Sequence, residues 1–278
     1  MLARAFRLIR QHPTVAIGGL IVLILVLLAV FAPWLGTRDP TALSPIHRTR
    51  NPGAQFWFGT DLLGRDVYSR VLYGARVSLV VGFSVAGLCL VFGTLIGLVS
   101  GFVRWVDAIV MRVMDGLMSI PTILLAIALI ALTKASLENV IIAITIAELP
   151  RVVRLVRGVA LTLREQPFVE AAVAAGASPW RVITRHIFPN TVAALTVQLT
   201  YICGLAILAE ASLSFIGAGV PPSIPSWGNI MAEGRSLWQI KPHMIVFPAL
   251  FLSVTILAIN MLGDGLRDSI DPRMAKRI

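Results

Sequence analysis

Residues 77–103 run without a single Asp, Glu, Lys or Arg. No other feature limits the fold so tightly. A helix of that length reaches about 40 Å, more than the roughly 30 Å hydrocarbon core of a bilayer. An open sheet cannot satisfy its backbone in lipid, so the run is read as a membrane-crossing helix. Other apolar stretches repeat the signal. The chain has 278 residues, 57% apolar and 14% charged, against about 25% charged for soluble domains. The predicted fold class is an all-α integral membrane protein, one bundle of about six transmembrane helices with no soluble domain left over.

The expected spans cover about 15–35, 77–103, 115–134, 138–158, 191–216 and 244–266. Pro121 falls inside the third, where neighbouring helices can satisfy the carbonyl it frees. The fourth is short of apolar residues, because Glu148, Arg151, Arg154 and Arg157 follow Ala147. Arg151 lies on the same helical face as Glu148 and is expected to pair with it. Arg4, Arg7 and Arg10 precede the apolar run Val15–Phe31. A cleaved signal peptide is the rival reading, but that run is long, no Ala-x-Ala site follows, and Pro33 opposes cleavage. The first helix is read as retained.

The net charge of +10 would suggest nucleic acid in a soluble protein. Here Lys and Arg mark cytoplasmic loops and anionic lipid surfaces instead. With the N-terminus inside, the inner segments (the N-terminal tail, 104–112, 151–185 and 267–277) hold 15 of the 24 basic residues. That bias places both termini in the cytoplasm. Cys89 and Cys203 fall in apolar segments and read as small core residues. His12, His47, His186 and His243 are scattered without ligand spacing, so no metal site is expected. No Gly-x-x-x-x-Gly-Lys-Ser/Thr loop occurs, so the chain is not expected to bind ATP in that manner or to be an enzyme.

The polar insert at 165–190 reads as two short helices joined by a sharp turn. Pro167 suits a first helical turn, and Ala171, Ala172, Ala174 and Ala175 are strong helix formers. Gly176 suits the left-handed residue that ends a helix. Ser178 offers an N-cap oxygen, with Pro179 next, and Pro189 closes the second helix. In the outer loop, Thr60 or Asp61 is expected to cap an interfacial helix at Leu62–Ala75 leading into the second span. Gly217, Gly219, Pro221 and Pro222 end the fifth span. Ser226 then caps a short helix from Trp227, placed at the outer interface. Glu210 is expected near that interface, solvated or against a partner. Arg112 and Asp115 are expected to form a surface pair. The last helix is expected to end at Gly263 or Gly265. Small residues along the second span, among them Gly82, Gly93 and Gly97, favour close helix packing.

Four stretches carry a family resemblance. Glu170-Ala171-Ala172, Gly176 and Pro189 resemble the cytoplasmic Glu-Ala-Ala loop of ABC importer permeases, with Phe188 where that family usually has Leu. Phe58–Leu79, Glu210–Gly234 and Asn260–Arg273 resemble the dipeptide and oligopeptide branch, and specifically its second permease. The resemblance implies a type I importer permease fold. The domain is single over 1–278. Residues 1–55 hold the N-terminal tail, first helix and start of the outer loop, and 56–273 form the permease core. It implies ATPase docking through Glu170, Ala171, Ala172, Gly176, Ser178 and Pro189. The implied partners are a second homologous permease, two cytoplasmic ABC ATPases that hold ATP and Mg, an extracytoplasmic binding protein and membrane lipid, without nucleic acid. The implied cargo is di- or oligopeptides, and substrate-binding residues stay unassigned. Nickel chelates, glutathione or short glycans remain open on the same fold. A secondary transporter would call for midplane charges or paired inverted repeats, and a membrane scaffold would transport nothing.

Overall fold

The computed structural model describes residues 13–270, with side chains through 268. Arg4, Arg7, Arg10, His12 and the last basic residues, Arg273, Lys276 and Arg277, lie outside the described residues. Helix α1 spans Pro13–Val30. After a long loop, α2 (Val67–Leu88) passes through a π turn at Cys89–Gly93 into α3 (Thr94–Phe102). Helices α4 (Arg104–Met118), α5 (Thr122–Ala131) and α6 (Leu137–Arg164) follow. The short α7 (Pro167–Ala174) and α8 (Pro179–Val182) form the elbow. A second π turn, Ile183–Ile187, joins α8 to α9 (Phe188–Phe215). The short α10 (Trp227–Gly234) and the long α11 (His243–Ile270) complete the chain.

Among the described residues, four helices are long and apolar enough to cross a membrane: Pro13–Val30, Val67–Phe102, Pro179–Phe215 and His243–Asp268. The expected third span is broken. α4 and α5 meet at 93°, because Pro121 lacks an N–H and sits in extended backbone (ψ 132°) before α5. Counted as one bent span, the pair is a fifth crossing. α6 has the length of a sixth, but Glu148, Arg151, Arg154 and Arg157 make it too charged to qualify on composition.

Two apolar cores share α2 and α9. One gathers α2, α3, α5, α6, the elbow and α9 around Val85, Ile144, Val156 and Ile202. The other gathers α1, α2, α9, α10 and α11 around Val71, Ile207, Trp227 and Ile259. Glycines set the closest approach. A Cβ on Gly93 would stand 2.6 Å from Val152 Cγ1, and one on Gly97 2.7 Å from Val156 Cβ. The contacts advance by four residues on both helices, so α3 and α6 run parallel, as two spans separated by one return must. The packing role expected for the second span's small residues is thereby met at Gly93 and Gly97.

The second span begins differently from expectation. Helix α2 starts at Val67, capped by Asp66, whose carboxylate accepts from Ser69 N at 2.9 Å. Thr60 and Asp61 cap nothing, and no separate interfacial helix forms at Leu62–Ala75. Gly64, at φ +78°, holds the chain in a left-handed turn just before the start. The helix then continues 36 residues to Phe102, about 54 Å at 1.5 Å per residue. It is therefore longer than the roughly 30 Å hydrocarbon core, and part of it extends beyond that core. The last helix also overruns its expected stop at Gly263 or Gly265. A Cβ on Gly263 would stand 2.1 Å from Thr200 Oγ1, and one on Gly265 2.5 Å from Val15 Cγ2. These glycines admit neighbouring helices and do not end their own.

Candidate functional site

The elbow folds largely as its residues dictate. Pro167 opens α7, and the helix ends in a complete Schellman cap. Gly176 N donates to Val173 O (2.9 Å) and Ala177 N to Ala172 O (3.0 Å), with Gly176 at φ +84°. Val169, Val182 and Ile187 are buried and root the elbow in the core shared with α6 and α9. Glu170, Ala171, Gly176, Ser178 and Pro189 are exposed, and Ala172 is half-buried. Phe168, Val173, Trp180 and Phe188 leave large apolar surfaces uncovered, Trp180 at 73%. A groove of about 600 Å³ runs between the helices, lined by Arg164, Val169, Glu170, Val173 and Pro179.

Two expectations at the elbow need correction. Ser178 occupies the N-cap position in extended backbone, but its hydroxyl makes no cap hydrogen bond. Pro189 does not close the second helix. The π turn at Ile183–Ile187 carries the helix through to α9, so Pro179–Phe215 is one 37-residue element. Pro189 sits in the first turn of α9, where a missing N–H is tolerated. The elbow's second helix is thus the N-terminal end of the fifth span.

A second polar constellation lies at the opposite end of the bundle from the elbow. Asp61 accepts from Arg65 N (2.9 Å), Arg65 Nε (2.7 Å) and Arg70 Nη1 (2.6 Å). Glu233 of α10 completes the group, paired with Arg65 and with Arg70, whose Nη2 lies 3.2 Å from Glu233 Oε1. Asp61 and Arg70 are each 1% exposed. Sequence reasoning did not join these residues, although Phe58–Leu79 and Pro225–Gly234 had both been singled out. The available signal was charge of opposite sign in two segments flanking long apolar helices. Around this group, Trp227 Nε1 donates to Val71 O (3.0 Å), and Asn229 Nδ2 donates to Val220, Pro221 and Ile224 carbonyls (3.0–3.1 Å). Trp227 is fully buried, not at the lipid interface as expected, because its indole N–H finds a backbone partner inside the bundle. Ser226 does cap α10, accepting from Asn229 N at 3.2 Å.

The charged residues within the spans are also settled. Arg151 Nε stands 3.1 Å from Glu148 Oε2, as expected from their spacing. Glu210 is neither solvated nor against a partner: it is 0% exposed and held by Ser214 Oγ (2.8 Å) and Ser78 Oγ (3.3 Å). The serines supply the donors a buried carboxyl requires. Asp115 pairs with Arg154 of α6 and not with Arg112, and Asp107 accepts from Arg157 Nη2 at 2.7 Å. Both pairs tie α4 to α6. Cys89 and Cys203 are buried free thiols. Among the described residues no cluster of His, Cys, Asp or Glu has metal-site geometry.

Comparison with known proteins gives this architecture a family. Residues 90–276 match the binding-protein-dependent transport system inner membrane component, and residues 1–55 match the N-terminal transmembrane domain of oligopeptide transport permease C. A probable peptide ABC transporter permease of Sinorhizobium fredii is 53% identical, over 98% of this chain and 93% of its own. The dipeptide transport system permease of Alkalihalophilus pseudofirmus is 41% identical, over 97% and 89%. A glutathione transport system permease of Escherichia coli is 44% identical, over 98% and 89%. Among solved structures, a chain of the MetNI methionine ABC transporter in an inward-facing conformation shares the fold. Its TM-score is 0.59 at 20% identity, covering 73% of this chain and 96% of that one. The chain belongs to the binding-protein-dependent ABC importer permeases, in their dipeptide and oligopeptide branch, and is a multi-pass inner-membrane protein.

Proposed function

We propose that this chain forms half of the translocation pathway of an ATP-driven importer for di- or oligopeptides. A second homologous permease completes the pathway, two cytoplasmic ATPases bind below, and an extracytoplasmic binding protein delivers cargo from above. Both termini and residues 160–189 lie in the cytoplasm. The chain itself is non-catalytic and holds no cofactor; ATP and Mg bind on the partner ATPases. The peptide cargo is supported by the relatives named for peptides, dipeptides and glutathione.

One observation carries the coupling role: the elbow is rooted by three buried residues yet leaves four charged groups and Trp180 unspent. Glu165, Glu170, Arg181 and Arg185 make no ion pair among the described residues, and Trp180 stands in the open. Glu170, Ala171, Ala172, Gly176, Ser178 and Pro189 present the surface an ATPase would grip. Because α8 runs through its π turn into α9, a push on the elbow moves a membrane span without an intervening loop. The Gly176 cap keeps the two elbow helices at a fixed angle, so force passes both ways.

Disruption of the gene tests the reading. Growth on peptides as the sole source of a required amino acid should stop, while the free amino acid still supports growth. Unchanged peptide use with a fall in nickel-enzyme activity, restored by excess nickel, would overturn the peptide cargo. For coupling, Glu170→Lys reverses an exposed charge, so the protein should insert and assemble normally while uptake and cargo-stimulated ATP hydrolysis by the complex are lost. Normal uptake by that variant would remove the docking role.

A further inference from the structure

The exposed faces of the spans differ in kind. Every exposed position of α1 from Ile17 to Val30 is Ile, Leu or Val. Every exposed position of α2 and α3 from Val80 to Val99 is Val, Leu, Phe or Gly. These are surfaces that lipid can wet. Helices α9 and α11 break the pattern. Tyr201 is 46% exposed, Ser253 and Asn260 are exposed, and Gln198 is half-buried. None of these four side chains makes a hydrogen bond among the described residues, whereas Thr196, Thr200, Ser212 and Thr255 on the same two helices each bond back to their own helix.

The four polar groups share one surface. Gln198, Tyr201 and Leu208 fall on one side of α9 by helical spacing, and Ser253, Leu257 and Asn260 on one side of α11. The two helices touch where Gly204 meets Asn260: a Cβ on Gly204 would stand 3.4 Å from Asn260 Oδ1. Depth matters as well. Tyr201 lies 13 residues into α9 and Ser253 10 residues into α11, about 20 Å and 15 Å from the helix starts. At such depth an unpaired amide or phenol facing lipid is costly, because nothing there replaces its hydrogen bonds to water. A polar stripe at mid-span therefore faces water or protein.

We infer that the α9–α11 face lines the translocation pathway, with Gln198, Tyr201, Ser253 and Asn260 as neutral contacts for the amide backbone of a passing peptide. This rests on the importer reading above. Peptides differ in their side chains and share their amides, so neutral donors and acceptors suit a path that must pass them all and hold none. The aliphatic residues between them, Leu208 and Leu257, keep each contact isolated.

The test uses the whole transporter reconstituted in liposomes, with Cys89→Ala and Cys203→Ala. Single cysteines replace Ser253 (nearly isosteric), Tyr201 and Asn260 on the inferred face, and Ile24 and Val80 on the apolar faces. The probe is a charged, membrane-impermeant methanethiosulfonate. Reaction on the inferred face should be about tenfold faster or more than at Ile24 and Val80, because only a hydrated thiol ionises to the reactive thiolate. The rate should also change when the ATPases are trapped with ATP and vanadate. Silence at Ser253, Tyr201 and Asn260 in both states, in liposomes that still take up peptide, would overturn the inference. So would spontaneous cross-linking of these positions to the second permease. Loss of the peptide reading is separable: labelling at this face with no uptake of any peptide leaves the pathway standing and changes only the cargo.

Discussion

The cap around Asp61, Arg70 and Glu233 and the elbow are both polar regions, at opposite ends of the same helices, and they spend their polar groups in opposite ways. In the cap, Asp61, Arg65, Arg70 and Glu233 neutralise one another. Asn229 satisfies three carbonyls, and Trp227 is sealed inside. In the elbow, Glu170, Arg181 and Arg185 have no charged partner among the described residues, and Trp180 is 73% exposed. The cap's charges hold the chain to itself, joining the loop before α2 to α10 across more than 160 residues of sequence. The elbow's charges are left over after folding. A region complete in itself resists deformation, and a region with unspent groups waits for a partner.

The largest expected effect breaks the cap. Arg70→Ala leaves Asp61 and Glu233 facing each other with only Arg65 between them. Removing one partner of a buried ion pair costs about 3–5 kcal/mol. Arg181→Ala on the elbow should stay within about 0.5 kcal/mol, as exposed substitutions do. Thermal unfolding of the two variants in detergent checks the contrast. Equal shifts would show that the cap's ion network contributes no more to stability than an exposed elbow charge.

A smaller effect tests how stiff the elbow is. No atom of a neighbouring group lies within 4 Å of where a Gly176 Cβ would stand, so a side chain there meets no obstacle. The cost is conformational, about 1–2 kcal/mol for a non-glycine residue held left-handed. Gly176→Val should therefore insert and unfold nearly as the parent does, yet lose cargo-stimulated ATP hydrolysis because the cap at Ala172–Ala177 no longer sets the angle. Gly176→Asn tolerates the left-handed region better and should retain more coupling. If both variants couple normally, the angle at Gly176 carries no force.

Residue by residue, the sequence showed local chemistry and concealed what depends on distant contact. The long uncharged runs, the Gly176 turn, the Ser226 cap and the Glu148–Arg151 pair all follow from neighbours within four or five positions. The family signatures were legible for the same reason. Trp227 and the Asp61–Arg70–Glu233 group were misplaced or missed because Val71 and Glu233 lie 156 and 163 residues from their partners, and Glu210 because Ser78 lies 132 residues away, although Ser214 is only four residues on. An indole near a helix start looks interfacial until Val71 O receives its N–H. Asp61 looks like a cap until Arg70 and Glu233 arrive from elsewhere. Pro189 and Gly263 were read as stops because Pro and Gly usually are. A π turn and a close helix contact gave them other work.

Two serines carry the cap-and-elbow contrast down to its smallest scale. Ser178 and Ser226 each stand at the N-cap of a short helix in extended backbone, at ψ 153° and 157°. From sequence they are the same residue doing the same job. Ser226, in the cap, is fully buried and accepts from Asn229 N at 3.2 Å. Ser178, on the elbow, is exposed and its hydroxyl bonds to nothing in the helix. Ser178, Pro179, Trp180 and Arg181 are all exposed, so water can reach the first amides of α8 and the hydroxyl is dispensable to folding. Loss of a working N-cap costs about 1 kcal/mol, and more here because Asn229 N would be left buried without its acceptor. Ser226→Ala should therefore lower the unfolding midpoint measurably, and Ser178→Ala should not move it. The reverse is expected for assembly: Ser178→Ala removes an exposed hydroxyl from the proposed docking surface, so its effect should appear only when an ATPase partner is present. A drop in unfolding midpoint for Ser178→Ala in the isolated chain would show that the elbow, like the cap, is held together by its own polar groups.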